Sequence, residues 1–113
     1  MPFAEIKTNV SVSKETEIGI KSDLARCISL FPGKTERWLM VNVVPDSHLW
    51  FGGSDDPCAI IDVHIFGEPG SSDCEKVTSA ITETISAALS IAADRIYVKY
   101  AGSSLWGWNG SNF

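Results

Sequence analysis

The chain repeats one order of secondary structure, a strand, a helix and a second strand, and this repeat restricts the fold more than any other feature. In the first half, alternation predicts a strand at 2–8, a helical pattern follows, and residues 38–44 form an apolar strand. The second half runs from an apolar strand at 58–66 through another helical pattern to a strand at 95–100. Two right-handed βαβ units of this kind predict an α+β (α/β) fold, with a mixed four-stranded sheet and both helices on one face.

Local signals mark where the two helices begin and which face each one buries. Ser13, followed by acidic residues, predicts the N-terminus of the first helix, and Ser72 with Glu75 predicts a capping box for the second. Apolar residues recur at helical spacing in both segments. They are Ile20, Leu24, Cys27, Ile28 and Phe31 in the first helix, and Val77, Ile81, Ile85 and Leu89 in the second.

The length of 113 residues fits a single domain, and an apolar fraction of 44% is ample for one core. We place the first βαβ repeat at about 2–45, the second at about 57–100 and an aromatic tail at 101–113. No third helix is predicted that could cover the other face of the sheet. That face and the aromatic tail therefore predict packing against a neighbouring copy, and so an oligomer.

Charge and cysteine content exclude several classes of partner. The net charge of −5 and the pI near 4.8 argue against nucleic acid or an anionic membrane as the main partner, since both require a basic surface. The N-terminus lacks the basic and apolar regions of a secretory signal, which predicts a cytoplasmic location. Three widely spaced cysteines form neither a CxxC pair nor a zinc-ligand pattern, so no metal site is predicted.

Pro2 is the first candidate for a chemical role. Proline is a small second residue, so removal of Met1 would leave Pro2 as the N-terminus with a free secondary amine. An ordinary α-amino group titrates near about 7.7 to 8.0, and burial or a neighbouring cation lowers the pKa of such an amine. A largely neutral amine of this kind can act as a base. Met-Pro alone is also common for processing reasons, so the assignment depends on the rest of the chain.

Short motifs along the whole chain give it a family resemblance. The motifs are Pro2, Thr8-Asn9-Val10, Gly33-Lys34, Val43-Val44-Pro45-Asp46, Phe51-Gly52-Gly53-Ser54, Pro57-Cys58-Ala59, Asp94-Arg95-Ile96-Tyr97, Gly107-Trp108-Asn109 and Phe113. In this order and spacing, they resemble the macrophage migration inhibitory factor family, a branch of the tautomerase superfamily. The resemblance implies a homotrimer whose three sheets form an inner β-barrel, with active sites at the subunit interfaces.

The resemblance implies an enzyme that interconverts keto and enol forms. Its substrates would be aromatic α-keto acids such as phenylpyruvate, and dopachrome-like compounds. Pro2 would be the catalytic base, and proton transfer by one base requires no cofactor or metal. Lys34 would pair with the substrate carboxylate and lower the pKa of the Pro2 amine. Taken alone, a lysine after a helix stop is more often a solvated cation.

The resemblance also implies a set of substrate-binding positions. The main-chain amide of Phe66 would contact the substrate, and Tyr97 and Lys99 would come from a neighbouring subunit, with Lys99 at a position where the family has asparagine. Trp106, Trp108 and Phe113 would form an aromatic rim around the substrate ring, although trimer packing would explain the rim residues about as well. Asp62 and His64 share a strand face with Phe66, and we expect them to serve structural or interfacial hydrogen bonding.

Two other functions stay open at the level of sequence. A cytokine-like protein of this family would leave cells without a signal peptide and bind a cell-surface receptor like the MHC class II invariant chain, with the pocket secondary. Dehalogenation or hydration of unsaturated acids would need arginines and an acidic water activator. The sequence gives no clear pocket position for Arg26, Arg37 or Arg95.

Overall fold

A computed structural model describes residues 2–113, and Met1, whose removal is expected above, lies outside the described residues. Six main elements follow the predicted order. They are β1 (Pro2–Thr8), α1 (Lys14–Ile28), β2 (Met40–Val44), β3 (Ala59–Phe66), α2 (Ser71–Leu89) and β4 (Ile96–Ser103). The tail adds a short hairpin of β5 (Gly107–Trp108) and β6 (Ser111–Asn112), and two 3₁₀ helices cover Glu36–Trp38 and Ala93–Arg95.

The strands form one mixed sheet in the order β2-β1-β3-β4. Strand β1 is parallel to β2 and antiparallel to β3, while β3 is parallel to β4. Each parallel pair is joined by a helix, so the predicted fold of two βαβ units is confirmed. The register places Pro2 opposite Ile65, and Ile65 opposite Gly102. The first residue of β1 therefore lies beside the carboxyl ends of β3 and β4.

The core lies between one face of the sheet and the two helices. Alternate residues of β1 and β3 point into it, among them the fully buried Ile6, Ile61 and Val63. Most of the predicted helix faces is confirmed, since Ile20, Leu24, Ile28, Val77, Ile81 and Ile85 are fully buried. Burying one such side chain contributes about 1.5–3 kcal/mol. Phe31 is buried but lies after the end of α1 at Ile28, and Leu89 is only half-buried. No described element covers the other face of the sheet. Separately, no helix within residues 2–113 is long and apolar enough to cross a membrane.

The two helix starts differ in how well the sequence predicted them. The Ser13 side chain accepts a hydrogen bond from the Thr16 amide at 3.1 Å, as expected for an N-cap residue. In α2 the N-cap is Gly70, without a side-chain hydrogen bond, so the predicted capping box at Ser72 is wrong. The Cys74 amide already bonds the Gly70 carbonyl at 2.9 Å, which places Ser72 inside the first turn instead of before it.

Two predicted boundaries also change. Strand β2 begins at Met40 instead of residue 38, because Glu36–Trp38 forms a 3₁₀ helix. The Leu39 amide ends this helix by donating a hydrogen bond to the Glu36 carbonyl at 3.1 Å. Strand β4 continues to Ser103, beyond the predicted end at 100, because residues 101–103 stay paired with the last residues of β3. The Gly67 amide also donates a hydrogen bond to the Ser103 carbonyl at 2.8 Å. The second repeat is therefore longer than predicted, and the first residues of the predicted aromatic tail belong to the sheet.

Candidate active site

A cavity of about 630 Å³ lies beside the N-terminal end of β1. Pro2 lines this cavity together with residues from the segment before β2, from β3 and from the C-terminal tail. Three indole rings, Trp38, Trp106 and Trp108, form much of its wall, and Arg37 and His64 are its only ionisable lining side chains among residues 2–113. Among residues 2–113, the walls are thus apolar and aromatic, with one guanidinium and one imidazole but no carboxylate side chain.

The tail reaches the cavity through the β5–β6 hairpin. Its turn is Asn109-Gly110, and both residues have positive φ angles, 52° and 85°. These angles are typical of the tight hairpin turn that favours the Asn-Gly pair. The Phe113 amide then donates a hydrogen bond to the Trp106 carbonyl at 3.0 Å. This bond holds the last residue against the cavity wall.

Four aromatic side chains, Trp38, Trp108, Phe113 and Phe66, form a continuous series, which we call the aromatic row. Trp38 meets Trp108 edge to face, with ring centroids 5.0 Å apart. Trp108 stacks on Phe113 at 6.2 Å, and Phe113 lies 5.6 Å from Phe66. These arrangements and distances are favourable for aromatic pairs. The structure therefore brings Phe66, Trp108 and Phe113, three of the predicted substrate-binding residues, into one surface.

A cation lies at each end of the aromatic row. At one end, Lys34 Nζ donates a hydrogen bond to the Phe66 carbonyl at 3.2 Å. At the other end, the Arg37 guanidinium lies 5.0 Å from the centroid of the Trp38 ring. Lys34 is half-buried and Arg37 is exposed. The structure thus places the predicted Lys34 beside Phe66 and adds a second cation that the sequence did not indicate.

Tyr97 and Lys99 do not join this site within one chain. Both lie on β4 and point to the uncovered face of the sheet, as their spacing predicted. Tyr97 is opposite Ile60 and packs its ring 4.9 Å from Phe51. It is five residues from Gly102, or about 17 Å along the strand, so it is remote from Pro2. Their expected place in a neighbour's site stays a prediction.

Lys99 instead belongs to a charged cluster on the uncovered face. The Lys99 Nζ atom lies 3.6 Å from Asp62 Oδ2. The His64 Nε2 atom lies 3.2 Å from Asp62 Oδ1, but the geometry of this second contact is not that of a hydrogen bond. Asp62 Oδ1 is buried and has no hydrogen-bond partner among residues 2–113. His64 also lines the cavity and lies 5.9 Å, ring to ring, from Phe3. It is therefore closer to the site than its expected structural role suggested.

The three arginines separate into different environments. Arg37 lines the cavity, so the statement that no arginine has a clear pocket position is wrong for this residue. Arg26 pairs with Asp23 on α1. The Arg95 guanidinium donates to main-chain carbonyl oxygens of the loop before β3, those of Phe51, Ser54, Asp56 and Pro57. Arg95 is thus fully engaged in holding that loop.

Trp38 and Arg37 are cavity residues that the sequence did not indicate. The sequence predicts Trp38 at the start of a strand and Arg37 just before it, whereas both lie in the 3₁₀ helix between Lys34 and β2. The polar triplet Thr35-Glu36-Arg37 lies before the predicted strand at 38–44, and no local pattern in it indicates a place in the cavity. Within residues 2–113, no group of three His, Cys, Asp or Glu side chains is arranged to hold a metal ion.

Two βαβ units that share one mixed sheet, with an aromatic cavity beside Pro2 of the first strand, define the class of α+β protein to which the chain belongs. The family model described as macrophage migration inhibitory factor (MIF) matches residues 1–113. The chain belongs to the macrophage migration inhibitory factor family.

Individual relatives are similar to the chain over nearly their full length. The chain is 35% identical to macrophage migration inhibitory factor of Meriones unguiculatus and 33% identical to that of Mus musculus, covering 100% of this chain and 99% of each relative. Among solved structures, it is similar to Leishmania major MIF2, with a TM-score of 0.94 and 30% identity over 100% of this chain and 97% of that one. A homologue from Prochlorococcus marinus gives a TM-score of 0.81 and 28% identity, with 98% of each chain covered.

Proposed function

We propose that the protein is a keto–enol tautomerase for aromatic α-keto acids of the phenylpyruvate type and for dopachrome-like compounds. The observation that carries this proposal is the position of Pro2 in a cavity walled by indole rings. Once Met1 is removed, the Pro2 amine is the base that such a cavity holds. Family membership supports the same reaction class.

The proposed reaction needs one base and no cofactor. The neutral Pro2 amine removes a proton from the carbon next to the ketone, which leaves an enolate and a protonated amine. The protonated amine then returns that proton to the enolate oxygen, giving the enol and restoring the neutral base. The apolar walls favour the neutral amine, because burial disfavours the charged form and lowers its pKa.

Lys34 and the aromatic residues orient the substrate in this proposal. The Lys34 ammonium, held beside Phe66, pairs with the substrate carboxylate and so fixes the ketone relative to Pro2. The main-chain amide of Phe66 is the next contact. Trp106, Trp108 and Phe113 pack against the substrate ring, which explains a preference for aromatic keto acids.

We further propose that the protein acts as a homotrimer. The uncovered face of the sheet supports this, because it carries the exposed apolar side chains Met40 and Tyr97 at 69% and 60% exposure. In the trimer, the inner faces of three sheets cover one another. Tyr97 and Lys99 then reach the cavity of a neighbouring subunit, which accounts for their distance from Pro2 within one chain.

The first test combines intact mass with a phenylpyruvate assay on the same preparation. We expect the mass of a chain that lacks Met1, together with enol–keto turnover, because the reaction requires a free Pro2 amine. Processed protein without turnover on phenylpyruvate or a dopachrome-like compound would contradict the proposed function. If Met1 is retained, removing it with an aminopeptidase should start the reaction.

Replacing Lys34 with alanine is expected to raise KM for phenylpyruvate about tenfold with a much smaller change in kcat. The reason is that a charge-assisted contact to the carboxylate is present in both the bound substrate and the transition state. Steady-state kinetics of Lys34→Ala beside Lys21→Ala, an exposed lysine on α1, provide the measurement and its control. A loss of kcat at unchanged KM would assign Lys34 to control of the Pro2 pKa instead.

The receptor-binding alternative stays a prediction from the sequence. In this alternative, the protein acts outside the cell as a cytokine-like ligand of a receptor like the MHC class II invariant chain. We propose instead that it is a cytoplasmic enzyme. Titration with a soluble receptor ectodomain tests the receptor-binding alternative directly, and an absence of saturable binding would exclude it.

A further inference from the structure

Arg37 faces the same cavity as Pro2 without an acidic partner. Its guanidinium stacks over Trp38 at 5.0 Å, and no carboxylate of the described residues 2–113 lies within 4.0 Å of it. The side chain is exposed, so its donors are open to a ligand. A guanidinium that is stacked on an aromatic face keeps its edge free for bidentate bonds to an anion.

The charge of the cavity contrasts with that of the whole protein. The chain carries a net charge of −5, yet no aspartate or glutamate side chain in the described part of the chain lines this cavity. Arg37 supplies a permanent positive charge there. A cavity with a fixed cation and apolar walls concentrates anions, because low-polarity walls focus the field.

The aromatic row separates the two cations. Three successive ring-to-ring steps of 5.0, 6.2 and 5.6 Å lie between the Trp38 end, which carries Arg37, and the Phe66 end, which carries Lys34. The row therefore carries one cation at each end. In the proposed function Lys34 takes the α-keto carboxylate, and that assignment leaves Arg37 free.

We propose that Arg37 forms a subsite for a second anionic group, so that the preferred substrates are aromatic keto acids with an acidic substituent on the ring. This inference rests on the proposed tautomerase function. A carboxylate on the ring carbon opposite the keto acid chain is the simplest such substituent. Phenylpyruvate itself lacks this group and uses only the Lys34 end of the row.

The test compares two substrates that differ only in the distal charge, phenylpyruvate and 4-carboxyphenylpyruvate. We expect the kcat/KM ratio of the carboxylated substrate to phenylpyruvate to fall about fivefold in Arg37→Gln, as for one partly solvated ion pair. Arg37→Lys should retain part of the preference, because the charge remains while the planar fork is lost. Arg26→Gln, an exposed arginine on α1, is the matched control and should leave the ratio unchanged.

A binding measurement separates failure of this subsite from failure of the proposed function. Phenylacetate and 4-carboxyphenylacetate lack the ketone, so calorimetry with them reports binding without turnover. Tighter binding of the carboxylated compound, lost in Arg37→Gln and weakened by salt, supports the subsite even if no keto acid is turned over. An equal ratio in Arg37→Gln and Arg26→Gln, in kinetics and in calorimetry, would overturn it.

Discussion

Replacing Pro2 with glycine should lower kcat for phenylpyruvate by about a hundredfold, which is the low end of what a positioned base contributes. Glycine at position 2 still permits removal of Met1, so the variant keeps a free amine. That amine is primary and belongs to a flexible residue, whereas the proline ring fixes the direction of its nitrogen. Steady-state kinetics on protein of verified mass give the measurement.

A matched control is needed because the substitution also loosens the start of β1. Pro45→Gly removes a proline at the end of β2, outside the residues that line the cavity, and should retain turnover. Size-exclusion chromatography of Pro2→Gly should match the unmodified protein, since the core positions Ala4 and Ile6 of the same strand are unchanged. Its unfolding temperature should fall, because Pro2 is itself fully buried and its ring is lost. Full turnover by processed Pro2→Gly would refute Pro2 as the base.

The fold was predictable because its signals are local. Fully buried side chains recur at helical spacing in α1, as at Ile20 and Leu24, and every second residue of β3 is buried, as the alternation of a strand with one core face requires. The Ser13 cap is likewise a signal within three residues. The predicted cap at Ser72 failed because Gly70, without a side-chain signal, begins α2 instead.

The site was predictable only in part, because its contacts join distant segments. The resemblance identified Lys34 and Phe66, and the structure shows their hydrogen bond across 32 positions of the chain. Nothing local predicts that Lys99 pairs with Asp62, since that pairing depends on the parallel register of β3 and β4. The position of Arg37 depends on a 3₁₀ helix packed against the tail, and such packing has no periodicity to read.

Gly102 is the position where the sheet and the cavity depend most directly on one small residue. It lies opposite Ile65, which in turn lies opposite Pro2, and the next residue, Ser103, lines the cavity. A Cβ atom at position 102 would overlap the Gly67 carbonyl oxygen and lie 2.9 Å from Pro69 Cδ. Because one of these neighbours is main chain, the clash cannot be relieved by rotating a side chain.

We therefore expect Gly102→Ala to lower the free energy of unfolding by about 2 kcal/mol, within the range for overpacking, because the added methyl group meets main-chain atoms although Gly102 itself is exposed. The loop at Gly67 must move away from β4, which weakens the bond between the Gly67 amide and the Ser103 carbonyl. Denaturant unfolding measures this loss of free energy, provided that the variant and the unmodified protein have the same m-value. Gly19→Ala is the control, since Gly19 is exposed on α1 with no atom near a new Cβ, and it should stabilise the protein by about 1 kcal/mol. Equal midpoints for Gly102→Ala and the unmodified protein would show that the loop yields freely, and that the wall of the Pro2 cavity is not held by this contact.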